Sequence, residues 1–280
     1  MGVRRPVVAG TFYPSGSARL TGAIEDCFRN KLGPGKLPKG RSEKRKIISA
    51  ICPHAGYVYS GPAAAHAYFH LSSEGQPDTV VILGPNHTGL GGPVSIGGHD
   101  EWETPLGRVR VDKELARSIF TSSDAIDRED NAHLEEHSIE VQLPFLQYIY
   151  DDFSFVPICM KFQGLETSRE VGRAVAEGLK DRNGLIIAST DMSHYEPQDS
   201  ASTKDRRVIN HILELDEAAL QQRVRTERIS MCGYGPVSAA IVASKILGAE
   251  EAELLAYSTS GDVSGDYSGV VGYASIKITK

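Results

Sequence analysis

What most limits the folds open to this chain is a rhythm: short apolar runs rich in β-branched residues alternate with longer stretches of helical periodicity. The runs fall at 47–52, 79–84, 153–159, 184–189, 252–258 and 270–278. Helical patterns lie around them at about 16–30, 60–72, 112–122, 138–150, 165–181, 202–223 and 235–248. Uninterrupted runs such as VVILG read as buried strands. Alternating with helices, they predict an α/β fold: a single three-layer domain with a central mixed or parallel sheet and helices on both faces. No repeat, low-complexity tract or linker divides residues 1–280, and the Gly/Pro stretch at 33–40 lies too near the N-terminus to bound a domain.

Three of the runs lead straight into a histidine: IISAICPHAGY at 47–57, VVILGPNHTG at 80–89 and LIIASTDMSHY at 185–195. In an open α/β sheet the C-terminal strand ends line the functional crevice. His54, His87 and His194, remote in sequence, are therefore predicted to converge as a metal or acid–base site. Each also has a plainer reading. His54 sits in a tight Pro/Gly turn before a helix expected to be capped by Ser60 or Gly61, with Pro62 near its first position. His87 sits in a Gly/Asn loop, and His194 closes a polar burst containing Asp191. That carboxylate is placed to orient His194 or a neighbouring imidazole.

Other candidates carry less. His66 and His70 share one helix face, where packing or exposure accounts for them, and His99 and His211 have no supporting company. HLEEH at 133–137 matches the H-x-x-E-H spacing of a zinc peptidase. The apolar periodicity begins only at Ile139, however, so Ser138 reads as the N-cap and the pattern falls outside the helix. Cys232 precedes a helix start near Pro236, where the helix N-terminus is expected to lower its thiol pKa and favour thiolate. With two histidines it would suit zinc, iron or copper. Cys27, Cys52 and Cys159 fit buried structural positions. The loop STSGDVSGDYSG at 258–269 reads as a long turn between two strands.

Composition removes several function classes. A net charge of -6 with no dense Lys/Arg block argues against nucleic-acid binding. The one basic cluster, 36–46, reads as a solvated loop. No stretch approaches the roughly 18 apolar residues of a membrane span. With no apolar leader and four widely spaced cysteines, the chain is expected to be cytoplasmic with reduced thiols.

Six segments together resemble the MEMO family: RRPVVAGTFYPSG (4–16), PHAGYVYSG (53–61), LGPNHTG (83–89), EHSIEVQLPFLQ (136–147), STDMSHY (189–195) and MCGYGP (231–236). The resemblance runs over essentially the whole chain. It implies a LigB-like fold, shared with the class III extradiol ring-cleaving dioxygenases. It also implies that His54 and His87 match the two histidine ligands of non-haem iron in those enzymes, and that His194 matches their acid–base histidine. Where they place a glutamate ligand, this pattern places Cys232. A softer, oxidisable thiolate means that ring cleavage does not follow from the fold. The cofactor implied is a divalent metal, iron first, with copper or zinc as alternatives. Asp191 would stand beside it, and Glu136 and His137 would be structural or supporting. Two functions follow: a metal-dependent oxidoreductase acting on a small aromatic or oxygen-derived substrate, or a binding protein whose crevice takes a peptide or small anion.

Overall fold

The computed structural model describes residues 2–280. Its strands are Val3–Arg4 (β1), Ile47–Cys52 (β2), Thr79–Pro85 (β3), Val94–Ile96 (β4), Glu101–Thr104 (β5), Gly107–Val111 (β6), Asp127–Arg128 (β7), Ser154–Met160 (β8), Gly184–Ser189 (β9), His194–Glu196 (β10), Glu251–Thr259 (β11) and Val270–Thr279 (β12). The helices are Ser17–Arg29 (α1), Tyr57–Ser72 (α2), Lys113–Thr121 (α3), Leu143–Ile149 (α4), Leu165–Leu179 (α5), Gln198–Leu213 (α6), Glu217–Thr226 (α7), Tyr234–Ile246 (α8) and the single turn Gly261–Ser264 (α9). The strands join in a sheet whose main path runs β1-β5-β6-β8-β3-β9-β2-β12-β10, with β11 on β12. The centre, β8-β3-β9-β2, is parallel, and β12 and β11 close one side antiparallel. This is the α/β architecture expected from the alternating pattern.

The period-2 geometry of the central strands divides their side chains between two helical layers. Val81, Leu83, Ile186 and Ala188 point to one side, into a core with Val171, Val175, Ala239 and Ile241 of α5 and α8. Val80, Ile82, Leu185 and Ile187 point to the other, into a core with Leu20, Ile24, Phe28, Ala64, Tyr68 and Phe145 of α1, α2 and α4. Every residue of β2 and β3 is buried. At roughly 1.5–3 kcal/mol for each buried Val, Leu or Ile, these strands form a stiff floor for whatever stands at their ends.

Several boundaries differ from the sequence expectation. Helix α2 starts at Tyr57, with Gly56 as N-cap and Pro62 inside the helix. The Tyr57 hydroxyl donates to Val141 O at 2.7 Å, and this tertiary bond draws the first turn in ahead of Ser60. Helix α4 starts at Leu143 with Pro144 in its first turn. A proline fits well there, and the residues just ahead, Glu140–Gln142, form a tighter 3-10 turn instead of an extension of α4 back to Ser138. The pattern at 202–223 is two helices, broken at Leu215 (φ 54°) and restarted by Asp216, whose side chain accepts from the N–H groups of Ala218 and Ala219. The 258–269 turn contains α9.

Topology makes the crevice. β9 lies between β2 and β3, with Cys52 beside Ser189 and Leu83 beside Ala188. The chain leaves β2 for α2 on one face and leaves β9 for α6 on the other. Strand ends that part in this way open the cleft where open α/β sheets bind their ligands.

Candidate metal centre

Two residues past β2 stands His54, two past β3 stands His87, and two past β9 stands Asp191. Cys232 arrives from the opposite direction, immediately before the N-cap Gly233 of α8. A Cβ at Gly233 would lie 2.5 Å from Ser189 O, so glycine is what lets α8 approach the end of β9. The result is a group, His54, His87 and Cys232, whose ligand atoms all lie within 4.8 Å of one another.

The histidine tautomers are set by their neighbours. Ser189 Oγ donates to Ser138 O at 2.7 Å and accepts from Gln142 Nε2 at 2.8 Å. Its remaining lone pair, 2.9 Å from His54 Nδ1, therefore calls for a proton on that nitrogen. His54 Nε2 is left bare, 3.2 Å from Cys232 Sγ. His87 Nδ1 donates to Glu136 Oε1 at 2.9 Å, and His87 N donates to Glu136 Oε2 at 2.6 Å. Its Nε2 is thereby freed as well. A carboxylate or hydroxyl behind a ring nitrogen is the arrangement that fixes metal-binding imidazoles. Burial would raise the Glu136 carboxyl, but its bonds from His87, with the nearby His137, hold it down to about 2. Burial, helped by the surrounding imidazoles, pushes His54 well below its ordinary value, so its ring is neutral.

The donor set passes a geometric test. Metal–nitrogen and metal–sulfur bonds of about 2.0–2.3 Å place ligand pairs roughly 3–4 Å apart; the separation between His54 and Cys232 agrees, and two bare Nε2 atoms face the same volume. The thiol differs from expectation in one respect. Burial, reinforced by the Asp191 carboxylate, pushes the Cys232 thiol up rather than down. The N–H of Asp191 reaches Sγ at 3.1 Å, but one such bond and a helix N-terminus do not offset the loss of water. A cation is what would hold the thiolate here.

Asp191 and His194 border this group. Asp191 is buried, and its Oδ1 accepts from His54 N at 2.8 Å. Burial brings its carboxyl up to about 6. His194, half-buried, has N on Ser230 Oγ at 2.7 Å and Nδ1 on Ser230 O at 2.8 Å. A carbonyl can only accept, so the proton sits on Nδ1 and Nε2 is unbound. Next to it Tyr195 adopts φ 57° at the irregularity between β10 and β12 and is 82% exposed.

The sequence underrated one residue. His137 stacks on His87 at 4.6 Å, meets His54 edge-on at 5.4 Å, and packs against Phe12 at 4.7 Å. With His87 and Glu136 it forms a second group able to hold a metal, and burial keeps it neutral, down to about 4. Its sequence signals were the HLEEH spacing, which paired it with His133 instead of His87, and the EHSIE segment of the family resemblance, which implied only a supporting role. His133 is turned away, with Nε2 on Ser95 O at 3.1 Å and its ring against Trp102. Ser138 is no N-cap: its N–H serves Glu136 and its Oγ serves Pro85 O. Cys27, Cys52 and Cys159 are buried and unpaired with one another, as expected of structural thiols.

His133 supplies a pH prediction free of the site. Burial, with the Arg4 cation beside it, pushes His133 down to about 4 from 6.5. The unfolded chain therefore binds the extra proton first, so stability is complete above pH 6.5 and falls as pH drops toward 4. At 1.36 kcal/mol per unit the loss is about 3 kcal/mol. His54 and His137 titrate in the same window in both proteins, so urea unfolding should show stability falling less steeply in His133→Gln than in the native chain; equal slopes would remove the assignment.

A sequence model of the family described as Memo-like protein matches residues 4–277. A MEMO1 family protein of Methanopyrus kandleri is 54% identical over 277 residues, covering 98% of each chain. Another, of Methanothermobacter thermautotrophicus, is 53% identical over 274 residues, covering 97% of this chain and 99% of its own. Among solved structures, an uncharacterized protein of Escherichia coli K12 aligns with a TM-score of 0.58 at 13% identity, covering 83% of this chain and 100% of that one, and it shares the fold. No helix among the described residues is long and apolar enough to cross a membrane.

Proposed function

The chain belongs to the Memo-like family, and on that premise we propose that its crevice is the metal centre of an oxidoreductase acting on a small aromatic or oxygen-derived substrate. The observation that carries this is the pair of imidazoles held with Nε2 bare, one by Glu136 and one by Ser189, beside the Cys232 thiol. Such support is characteristic of metal ligands and is wasted on hydrogen-bonding histidines. His54, His87 and Cys232 are the proposed ligands. Iron is the proposed metal; copper and zinc suit the same donors. A bound iron or copper would supply one-electron chemistry and a Lewis-acidic position for substrate.

The remaining residues handle protons and shape. His194 presents Nε2 at the mouth, and Ser230 holds its ring in one orientation, so it is the proposed proton carrier. Asp191 is the buried acid beside it and ties the His54 backbone in place. Neutral His137 lines the wall on the side of His87. Anaerobic purification followed by elemental analysis and a visible spectrum tests the reading. About one iron or copper per chain with a thiolate charge-transfer band is expected. A chain that stays metal-free on reconstitution sinks it.

The exposed Tyr195 at the same mouth favours a second reading, a binding protein whose crevice takes a peptide or small anion. In that case alanine at His54, His87 or His194 weakens ligand binding in a protein that holds no metal and turns nothing over.

A further inference from the structure

We propose that the cleft between the N-terminal loop and helices α1 and α2 is a second ligand site, which takes a small organic cation with an aromatic body. The cleft has a volume of about 560 Å³, inside the range of roughly 300–1,000 Å³ that small-molecule sites occupy. None of His54, His87, Cys232, Asp191 or His194 lines it. Phe12 is common to both places, lining the cleft while packing against His137.

Its walls state what would bind. Phe12, Tyr13 and Tyr57 line it with Val58 and Pro62. Both tyrosine hydroxyls are taken up inside the protein, Tyr13 by Glu140 Oε1 at 2.6 Å and Tyr57 by Val141 O at 2.7 Å. The two rings, 5.6 Å apart, are themselves 3% and 5% exposed, so the aromatic surface the cleft presents is that of half-buried Phe12. The ionic group on the wall is Asp26. Its neighbour Glu25 is matched by Arg29 at 3.0 Å, whereas Asp26, exposed at the rim, has no hydrogen-bond or ion-pair partner among the described residues. An aromatic body fills the apolar volume against Phe12, Val58 and Pro62, and an ammonium gains from both the Asp26 carboxylate and the Phe12 ring. Asp26 would repel a carboxylate or phosphate.

Calorimetric titration with phenethylamine and with 2-phenylethanol, its neutral counterpart, tests the inference. The amine is expected to bind the native protein roughly 10-fold more tightly than the alcohol, with the preference shrinking as salt rises. Asp26→Asn should equalise the two. Ala23→Phe, which fills the cleft from α1, should abolish both, its melting curve confirming the fold. His54→Ala should bind the amine as the native chain does. Equal affinity for amine and alcohol in the native protein, no binding at millimolar concentration, or an amine preference that survives Asp26→Asn overturns the proposal. So does binding lost in His54→Ala but retained in Ala23→Phe, which would move the ligand into the crevice.

Discussion

Replacing His54 by alanine is expected to give a folded chain that purifies without metal. The substitution removes a ring whose Nε2 lies 3.2 Å from Cys232 Sγ, and leaves His87 and the thiol as a two-point site. Two graded variants make the result specific. Glu136→Gln keeps the shape but cannot accept from both His87 N and His87 Nδ1 while its amide nitrogen faces one of them. That frees His87 to move its proton to Nε2, where it blocks a metal. Ser189→Ala removes the acceptor that holds the proton on His54 Nδ1. Loss of such a partner typically weakens metal binding 10- to 100-fold. The expected order is therefore native, then Glu136→Gln and Ser189→Ala together, then His54→Ala with the largest loss. Chelator competition after reconstitution measures it, with elemental analysis of the purified protein. Metal retained by His54→Ala at native affinity would mean that the metal sits elsewhere. Glu136→Gln bears on a second point: retained activity in that variant would also exclude peptidase chemistry through HLEEH.

How much of this site was legible follows from what each residue answers to. His54, His87 and His194 were visible because strand ends carry a local signature, an apolar run closed by Pro, Gly, Asn or Ser. In its local pattern Cys232 was visible only as a thiol near a helix start, and its place among the ligands came from the family resemblance. Its titration was misjudged, because desolvation depends on what closes over the sulfur, and sequence does not show that. Ser189, Gln142 and Ser138 form the relay behind His54, yet nothing in their local pattern sets them apart from ordinary polar residues. Their role exists only because β9 lies between β2 and β3. The same holds for Phe12, brought to His137 by the N-terminal loop. In the fold, long buried strands and amphipathic helices were recoverable from periodicity. The short strands β1, β4, β5, β6, β7 and β10, of two to five residues, were not, since they exist through pairing rather than propensity.

Arg4→Met is expected to cause the largest loss of stability of any single change away from the crevice. Arg4 is 2% exposed, and its guanidinium lies 4.2 Å from the centre of Trp102. Its Nη1 pairs with Glu140, its Nε donates to His133 O at 2.9 Å, and its Nη2 donates to Glu136 O at 2.7 Å. Glu140, fully buried, also accepts from Val7 N, Val8 N and the Tyr13 hydroxyl. One ion pair thus clasps the N-terminal loop to the segment that carries Glu136 and His137. Methionine keeps much of the volume but strands the Glu140 charge in the interior, a loss of about 3–5 kcal/mol. In a chain of this size that corresponds to a melting temperature lower by on the order of 10 °C. The double variant Arg4→Met/Glu140→Gln removes both charges and should recover a good part of the loss, because an uncompensated charge costs more than the pair contributes. Metal affinity should fall only modestly in Arg4→Met, since Glu136 keeps its side-chain bonds to His87. Thermal unfolding of the three proteins decides the matter. If the double variant melts as low as Arg4→Met alone, the loss belongs to the carbonyl bonds and the Trp102 contact, and the charge pair is not what holds the clasp.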